Sequence, residues 1–277
     1  MNAQYDGVTR TAQDYYNSDD ADNFYAMIWG GEDIHVGLYD NGTPIAEASR
    51  RTVQKMADTL GNLDADKRVL DIGGGYAGAA RYLARTYGCR VVSLNLSERE
   101  NERARRMNAE QGLAQRIEVA DGSFEDIPYP DASFDVAWSE DAMLHSGDRR
   151  RVWQEVHRVL KPGGDFIFTD PMQAEGVSKE VLQPILDRIH LDGLGSYAFY
   201  RRTAAELGFA EIRTIDYSDQ LPKHYGRVRE ELLARADEVA GKISQEYVDH
   251  MLKGLSHWVD GGNAGRLNWG IMHFRKA

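Results

Sequence analysis

The chain has 277 residues, with 33 lysines and arginines against 44 aspartates and glutamates, for a formal net charge of −11. That length suits one elaborated α/β domain with insertions rather than two independent domains, and the acidic balance argues against binding to nucleic acid phosphates or to anionic membranes. Cys89 is the single cysteine, which excludes an intrachain disulfide framework and a cysteine-rich metal site.

No apolar run approaches the roughly 18 residues of a membrane helix, and Met1 to Asp20 lacks a basic start followed by an apolar core. A soluble, cytoplasmic protein is expected, with its oligomeric state left open. In this reading residues 1–66 form an N-terminal helical cap, 67–170 a ligand-binding core, 171–202 a lid insertion, and 203–277 the remaining strands and helices of the same domain.

Thr9 to Gly30 concentrates Tyr15, Tyr16, Phe24, Tyr25, Met27, Ile28 and Trp29, which suggests one or two short helices laid against the fold, with Asn17 to Asp20 supplying capping side chains. Most of these aromatics are expected to pack the cap; Tyr16, Tyr25 and Trp29 are candidates to line a substrate chamber. Gly30, Gly31 and Gly37 punctuate a loop containing His35 and Tyr39. Val53, Met56, Ala57 and Leu60 then form a helical stripe within Glu47 to Leu60.

Arg68 to Ile72 reads as a buried parallel strand, and Gly73, Gly74, Gly75 and Gly78 let the backbone turn sharply and approach a ligand. The spacing of Gly73, Gly75 and Gly78 also satisfies a dinucleotide fingerprint, so the glycines alone do not choose the cofactor. Asp71 does. Its carboxylate would repel a pyrophosphate but could receive the ammonium of an amino-acid-like cofactor, which favours S-adenosylmethionine (SAM) over NAD.

From there strands and helices alternate, the signature of a mostly parallel sheet covered on both faces. The helix Tyr76 to Tyr87 leads to a strand over Cys89 to Asn95, where Asn95 takes the place of the acid that usually grips ribose hydroxyls; its amide both donates and accepts. Leu96 follows, and Ser97 caps a helix reaching Gly112. Ile117 to Ala120 is the third strand, followed by Asp121-Gly122-Ser123-Phe124, which offers a carboxylate to an exocyclic amine and a ring to a base.

Ser133 to Trp138 is the fourth strand, ending in Ser139-Glu140-Asp141-Ala142-Met143-Leu144-His145. Chemistry is expected there because ligands gather outside the carboxyl ends of parallel strands. Arg149 to Leu160 is an amphipathic helix closed by Lys161-Pro162-Gly163-Gly164, and Asp165 to Asp170 is the fifth strand. The lid insertion carries Val181, Leu182, Ile185, Leu186 and Ile189 at helical spacing, then the cluster Tyr197, Phe199, Tyr200. Thr203 to Gly208 reads as a short helix, Phe209 to Tyr217 as a strand, Gln220 to Lys253 as a long helical stretch, and Trp269 to Phe274 as the last strand, for seven strands with one antiparallel.

The run Val69 to Gly78 resembles motif I of the class I SAM-dependent methyltransferases, whose fold is a Rossmann-like seven-stranded sheet. Leu94-Asn95-Leu96-Ser97 resembles a segment of the betaine and cyclopropane-synthase branch of that class, and Arg158-Val159-Leu160-Lys161-Pro162-Gly163-Gly164 is similar to a turn before the fifth strand in very many of its members. With the lid run Asp187 to Tyr200, the resemblance narrows to the sarcosine/dimethylglycine N-methyltransferases of glycine betaine synthesis. One departure stands out: Glu100 occupies a place where a glutamine is common, which puts its contact on the ribose side in doubt. The resemblance implies SAM as cofactor, S-adenosylhomocysteine as product, and cofactor contacts from Asp71, Gly73, Gly75, Asn95, Leu96, Asp121, Ser123, Phe124 and Ser139.

Methyl transfer from a sulfonium needs alignment, exclusion of water and a free lone pair on the nucleophile. An alkylamine with a pKa of about 10 is protonated at neutral pH, and His145 is the natural acceptor of that proton. Ser139 to His145 is similar to a run in the phosphoethanolamine methyltransferases whose histidine pairs with an N-terminal tyrosine, the place of Tyr16 here. On the substrate side, Asp141 and the aromatic faces of Tyr25, Trp29, Tyr197 and Tyr200 suit an ammonium, and Arg188, Arg201 or Arg202 a carboxylate. Sequence does not rank these arginines; Arg188 is carried forward. No clustered ligands suggest a metal. The competing readings are a related methyltransferase acting on phosphoethanolamine, a sterol or a lipid, and a SAM-binding regulator without turnover.

Overall fold

Val69 and Leu70, neighbours in the chain, are both fully buried but enter different cores. That is the period of two expected of a strand covered on both faces, and it repeats one strand over, where Val91 joins the core of Val69 and Val92 that of Leu70. The computed structural model, which describes residues 7–277, identifies the two covers. The first six residues of the expected cap lie outside the described residues.

The cap contains α1 (Gly7–Tyr16), α2 (Asp19–Phe24), a π-helical turn over Tyr25–Trp29, and α3 (Ile45–Leu60). The core continues with β1 (Arg68–Ile72), α4 (Gly78–Tyr87), β2 (Arg90–Asn95), α5 (Glu98–Glu110), β3 (Ile117–Asp121), β4 (Phe134–Glu140), α6 (Arg149–Val159) and β5 (Leu160–Thr169). The rest comprises β6 (Met172–Gln173), α7 (Lys179–Leu186), α8 (Tyr197–Glu206), β7 (Phe209–Asp216), α9 (Gln220–Ala234), α10 (Ala236–Val239), α11 (Gln245–Asn263), β8 (Leu267–Asn268) and β9 (Gly270–Lys276). Ser18 caps α2 as anticipated, accepting from the Ala21 amide at 3.2 Å.

Seven strands form one sheet in the order β3-β2-β1-β4-β5-β9-β7. The first five run parallel, and β9 lies antiparallel between β5 and β7, as the class I resemblance implies. On one face α3 and α4 contribute Val53, Met56 and Leu83 to the core holding Val69; on the other, α6 and α8 contribute Trp153, Val156 and Tyr200 to the core holding Leu70. Each aliphatic side chain so buried is worth about 1.5–3 kcal/mol. A third core joins the cap to α7, α9 and α11 through Phe24, Trp29, Leu186, Leu255 and Trp258. No described helix is long and apolar enough to cross a membrane.

Three elements differ from the sequence reading. The Lys161 to Gly164 turn lies within β5, where the pairing with β4 shifts register between Phe134 and Val136. The long stretch from Gln220 breaks into α9, α10 and α11, and Ser244 restarts the last by accepting from the Tyr247 amide at 3.3 Å. The helix expected at Thr203 starts at Tyr197, because the Ser196 side chain caps it by accepting from the Phe199 amide at 3.1 Å. Residues 197–202 therefore belong to a helix packed on the sheet, not to the roof of the site.

Candidate active site

The turn after β1 places backbone where a side chain would not fit. Gly73 has φ +75°, and a Cβ there would lie 2.3 Å from the Cβ of Ala142, so only glycine lets the turn pass beneath the loop after β4. Its amide and that of Gly74 donate to the Leu94 carbonyl at 2.7 and 3.3 Å, tying the turn to the end of β2. Above it opens a cavity of about 690 Å³, its mouth included, walled by α1, the glycine turn, and the carboxyl ends of β2 and β4.

Asp71 sits at the end of β1, 2% exposed, with Oδ2 lacking a partner. Burial raises its pKa well above the usual carboxylate range, and Glu140 and Asp33 push it further. Glu140, which lines the cavity, is pushed up to about 7 by burial, against the opposing pull of His35. Among the described residues neither carboxylate has a lysine or arginine partner; Glu140 has only His35, at 3.5 Å, and Asp71 is not on the cavity's lining. On the far wall Asn95 donates to Glu100 Oε2 at 2.8 Å, and both line the cavity with Leu96, Ser123 and Phe124. Burial pushes Glu100 up to about 7 although the Asn95 hydrogen bond opposes it. A nucleoside with an amino-acid tail fits this set: amide and carboxyl groups for a diol, a phenyl face for a base, and under-compensated carboxylates for an ammonium.

A second, smaller space of about 320 Å³ adjoins the first. Its walls include Tyr25, Trp29, His35 and Arg188, and it shares Tyr16, Ile34, Asp141 and His145 with the cofactor cavity. Tyr16 on α1 is hydrogen-bonded to His145 Nε2 at 2.8 Å, with the rings edge-on at 5.2 Å. The two residues meet at the seam between the cavities. His145 lies on a short 3-10 turn, Met143–His145, after β4. Burial, with the charges of Arg188 and Arg149 acting in the same direction, lowers its pKa to about 3, so the imidazole is neutral throughout the physiological range.

Arg188 distinguishes the smaller chamber. It is 2% exposed, faces the rings of Tyr225 at 4.9 Å and Trp258 at 5.1 Å, and makes no ion pair with a described carboxylate; Nε and Nη1 have no partner. Its stem runs over Gly254 of α11, where a Cβ would lie 2.4 Å from Cγ. A buried guanidinium without a counter-ion is costly unless an anion joins it.

Several expected site residues lie elsewhere. Asp121 turns away from the cavity, accepting from Asn101 at 2.7 Å and pairing with Arg105 at 2.6 Å. Ser139 is fully buried and donates to the Ile72 carbonyl at 3.0 Å, holding β4 to β1. Tyr200, drawn into the sheet-facing side of α8, stacks on Trp153 and donates to Asp170 at 2.6 Å; Tyr197 lies beneath Arg201 and bonds Asp216 at 3.4 Å. Arg201 pairs with Glu211, and Arg202 is exposed. Asp141 reaches both spaces, but its Oδ1 accepts from Thr169 at 2.8 Å and Trp269 at 2.7 Å, and its Oδ2 from the Val36 amide at 2.7 Å. That leaves one lone pair for a substrate.

Sequence reasoning missed the roles of His35, Glu140, Tyr225 and Trp258. His35 Nε2 lies 3.5 Å from Glu140 Oε1, and its Nδ1 is 3.1 Å from the Val36 carbonyl. Burial alone would lower its pKa, but Glu140, Asp33 and Asp141 outweigh it and leave the pKa raised. The glycine-flanked loop holding His35 was a visible signal; nothing local marked Tyr225 or Trp258, which sit among ordinary helical patterns.

A sheet of this order, opened by a glycine turn over an acid and adjoined by a second, smaller chamber with a histidine at the seam, defines a class I SAM-dependent methyltransferase. The profile of the methyltransferase domain matches residues 70–168. A sarcosine/dimethylglycine N-methyltransferase of Halorhodospira halochloris is 59% identical over the whole of both chains. One from Aphanothece halophytica is 52% identical over 98% of each chain. A crystal structure from Galdieria sulphuraria, provisionally assigned as a sarcosine dimethylglycine methyltransferase, superposes with a TM-score of 0.90 at 47% identity, covering 95% of this chain and 99% of that one. The chain belongs to the sarcosine/dimethylglycine N-methyltransferase family.

Proposed function

We propose that the protein transfers the methyl group of SAM to the nitrogen of sarcosine and of N,N-dimethylglycine, giving glycine betaine and S-adenosylhomocysteine. The observation that carries this reading is Arg188, a buried cation without a counter-ion among the described residues, in a chamber that meets the cofactor cavity at Tyr16 and His145. A small zwitterion supplies the missing anion and brings its amine into an aromatic-walled space. The setting we propose is the cytoplasm, where both small substrates are dissolved.

SAM, when bound, supplies an electrophilic sulfonium methyl group. The residues to hold it are Gly73 and Gly75 at the turn, Asn95, Leu96 and Glu100 on the ribose side, Ser123 and Phe124 beside the base, and Asp71 with Glu140 toward the amino-acid end. Arg188 holds the substrate carboxylate bidentately, while Tyr25 and Trp29 give the nitrogen a π-faced environment that tolerates the permanent charge of the product. Tyr16 and His145 remove the amine's proton as a pair: the neutral imidazole accepts, and the tyrosine hydroxyl orients it or relays the proton to it. Binding of a carboxylate at Arg188 also removes one of the two charges that disfavour protonation of His145, so capture of the substrate strengthens the base.

Incubation with methyl-labelled SAM and a panel of glycine, sarcosine, dimethylglycine and phosphoethanolamine tests the reading. Label should enter sarcosine and dimethylglycine. Exclusive labelling of phosphoethanolamine, or cofactor binding with no labelled amine, would replace it with one of the alternative readings.

A further inference from the structure

Leu144, the residue before His145, has both of its backbone polar groups held by side chains. Its amide donates to Asp170 Oδ1 at 3.0 Å, and its carbonyl accepts from Arg149 Nη2 at 2.7 Å. The same Arg149 nitrogen donates to the carbonyl of Gly193, in the segment between Arg188 and α8. Asp170 is itself fixed by the Tyr200 hydroxyl on Oδ2 at 2.6 Å. The segment is anchored at its far end, where the Gln173 amide donates to the Gly195 carbonyl at 2.8 Å. Arg149, the first residue of α6, is thus a single side chain bonded at once to the peptide that aims His145 and to the loop that follows the 3-10 turn Asp187–Ile189, which carries Arg188.

We infer that Arg149 is a positioning residue that makes the orientation of His145 depend on the seating of the 188–195 segment. The inference rests on the proposed roles of Arg188 and His145. A backbone carbonyl has no preferred partner other than the donors within reach, and the Arg149 guanidinium supplies two carbonyls from one rigid plane. If the segment lifts, Gly193 leaves, Arg149 is free to follow it, and Leu144 loses one of its two restraints. If a carboxylate draws Arg188 inward, the segment seats, Arg149 is fixed, and the imidazole is held at the seam. Asp170 and Tyr200 form the immobile half of the clamp, because both are fully buried on the sheet side.

Amide hydrogen exchange on the full chain tests this. In the ligand-free protein Arg149→Met should raise exchange about 10-fold or more at both 143–146 and 191–195, since local opening tracks the loss of such restraints; a rise in only one segment, or in neither, overturns the coupling. This arm does not depend on what the substrate is. In wild-type protein with S-adenosylhomocysteine, adding dimethylglycine should protect both segments together. In Arg149→Met it should protect 191–195 but not 143–146, and equal protection of both there overturns the inference. Absence of any protection in wild type would count against the proposed substrate and leave the ligand-free arm to decide the coupling. Arg149→Lys, which keeps the charge but not the planar fork of donors, serves if the methionine variant fails to fold: a smaller rise at both segments is expected, and a rise at one alone overturns the coupling. Turnover should fall about 10- to 100-fold in Arg149→Met with the SAM Michaelis constant unchanged, because misplacement of a reacting group by about 1 Å costs up to that much.

Discussion

The Tyr16 hydroxyl and His145 Nε2, 129 residues apart in the chain, lie 2.8 Å from each other at the one place where the cofactor cavity and the substrate chamber share walls. A pair at that position can act on the proton of an amine as its nitrogen faces the methyl donor.

His145→Ala is expected to lower turnover about 100-fold or more, as loss of a general base typically does, with S-adenosylhomocysteine affinity nearly unchanged by calorimetry. The deficit should shrink as pH rises, because solvent then deprotonates more of the amine. Tyr16→Phe should reproduce part of the effect. Wild-type turnover by the alanine variant from pH 6 to 9 at saturating substrate would end the assignment.

The depressed pKa of His145 has its own consequence. A group held near about 3 carries no proton at pH 6, so an NMR titration of ligand-free protein should show its ring neutral from pH 5 upward. An ordinary titration centred near 6.5 would mean that the imidazole is not held in the buried, cation-flanked place described here.

For Arg188, replacement by methionine should raise the Michaelis constant for dimethylglycine at least about 100-fold, since a charge-assisted bidentate contact is worth about 3 kcal/mol or more once desolvated. The constant for SAM should hardly move. The same variant should melt at a higher temperature than the unliganded wild type, because an unpaired buried charge has been removed. A lower melting point would show that Arg188 has a counter-ion in the free protein.

Glu100 offers a stability test. In the unfolded chain it loses its proton near about 4.3, whereas burial holds it up to about 7 in the fold. Folding therefore takes up a proton between those values, stability falls as pH rises through that window, and the loss is complete above about 7. Glu100→Gln should match wild type below pH 4.5 and become progressively more stable than it toward pH 8. A constant difference in melting temperature across that range would contradict the burial of this carboxyl.

At the glycine turn, Gly73→Val would drive a branched side chain into Ala142, 2.3 Å from the position of its first carbon. Loss of S-adenosylhomocysteine binding in a variant that retains its circular dichroism is expected; undiminished affinity would move the cofactor elsewhere.

Local chemistry was enough to determine the sheet and the glycine turn, and to single out His145 and Tyr16, which the fold brings within hydrogen-bonding distance. Alternating burial writes strands such as Val69-Leu70 directly into the chain, and the glycines after Asp71 mark a backbone that no other residue type can follow. Composition and spacing could not say which of Arg188, Arg201 and Arg202 faces the substrate, because all three look alike in a polar helical run. The tertiary structure separates them: Glu211 engages Arg201, solvent surrounds Arg202, and Tyr225 with Trp258, brought from α9 and α11, encloses Arg188, which has no ion pair among the described residues, and it is on this difference that the proposal for Arg188 rests. The same holds for Tyr197 and Tyr200, whose aromatic character suited a substrate wall until the Ser196 cap started α8 early and turned Tyr200 into the sheet core. Counter-ions and helix starts are settled by partners distant in sequence, and those partners exist only once the chain has folded.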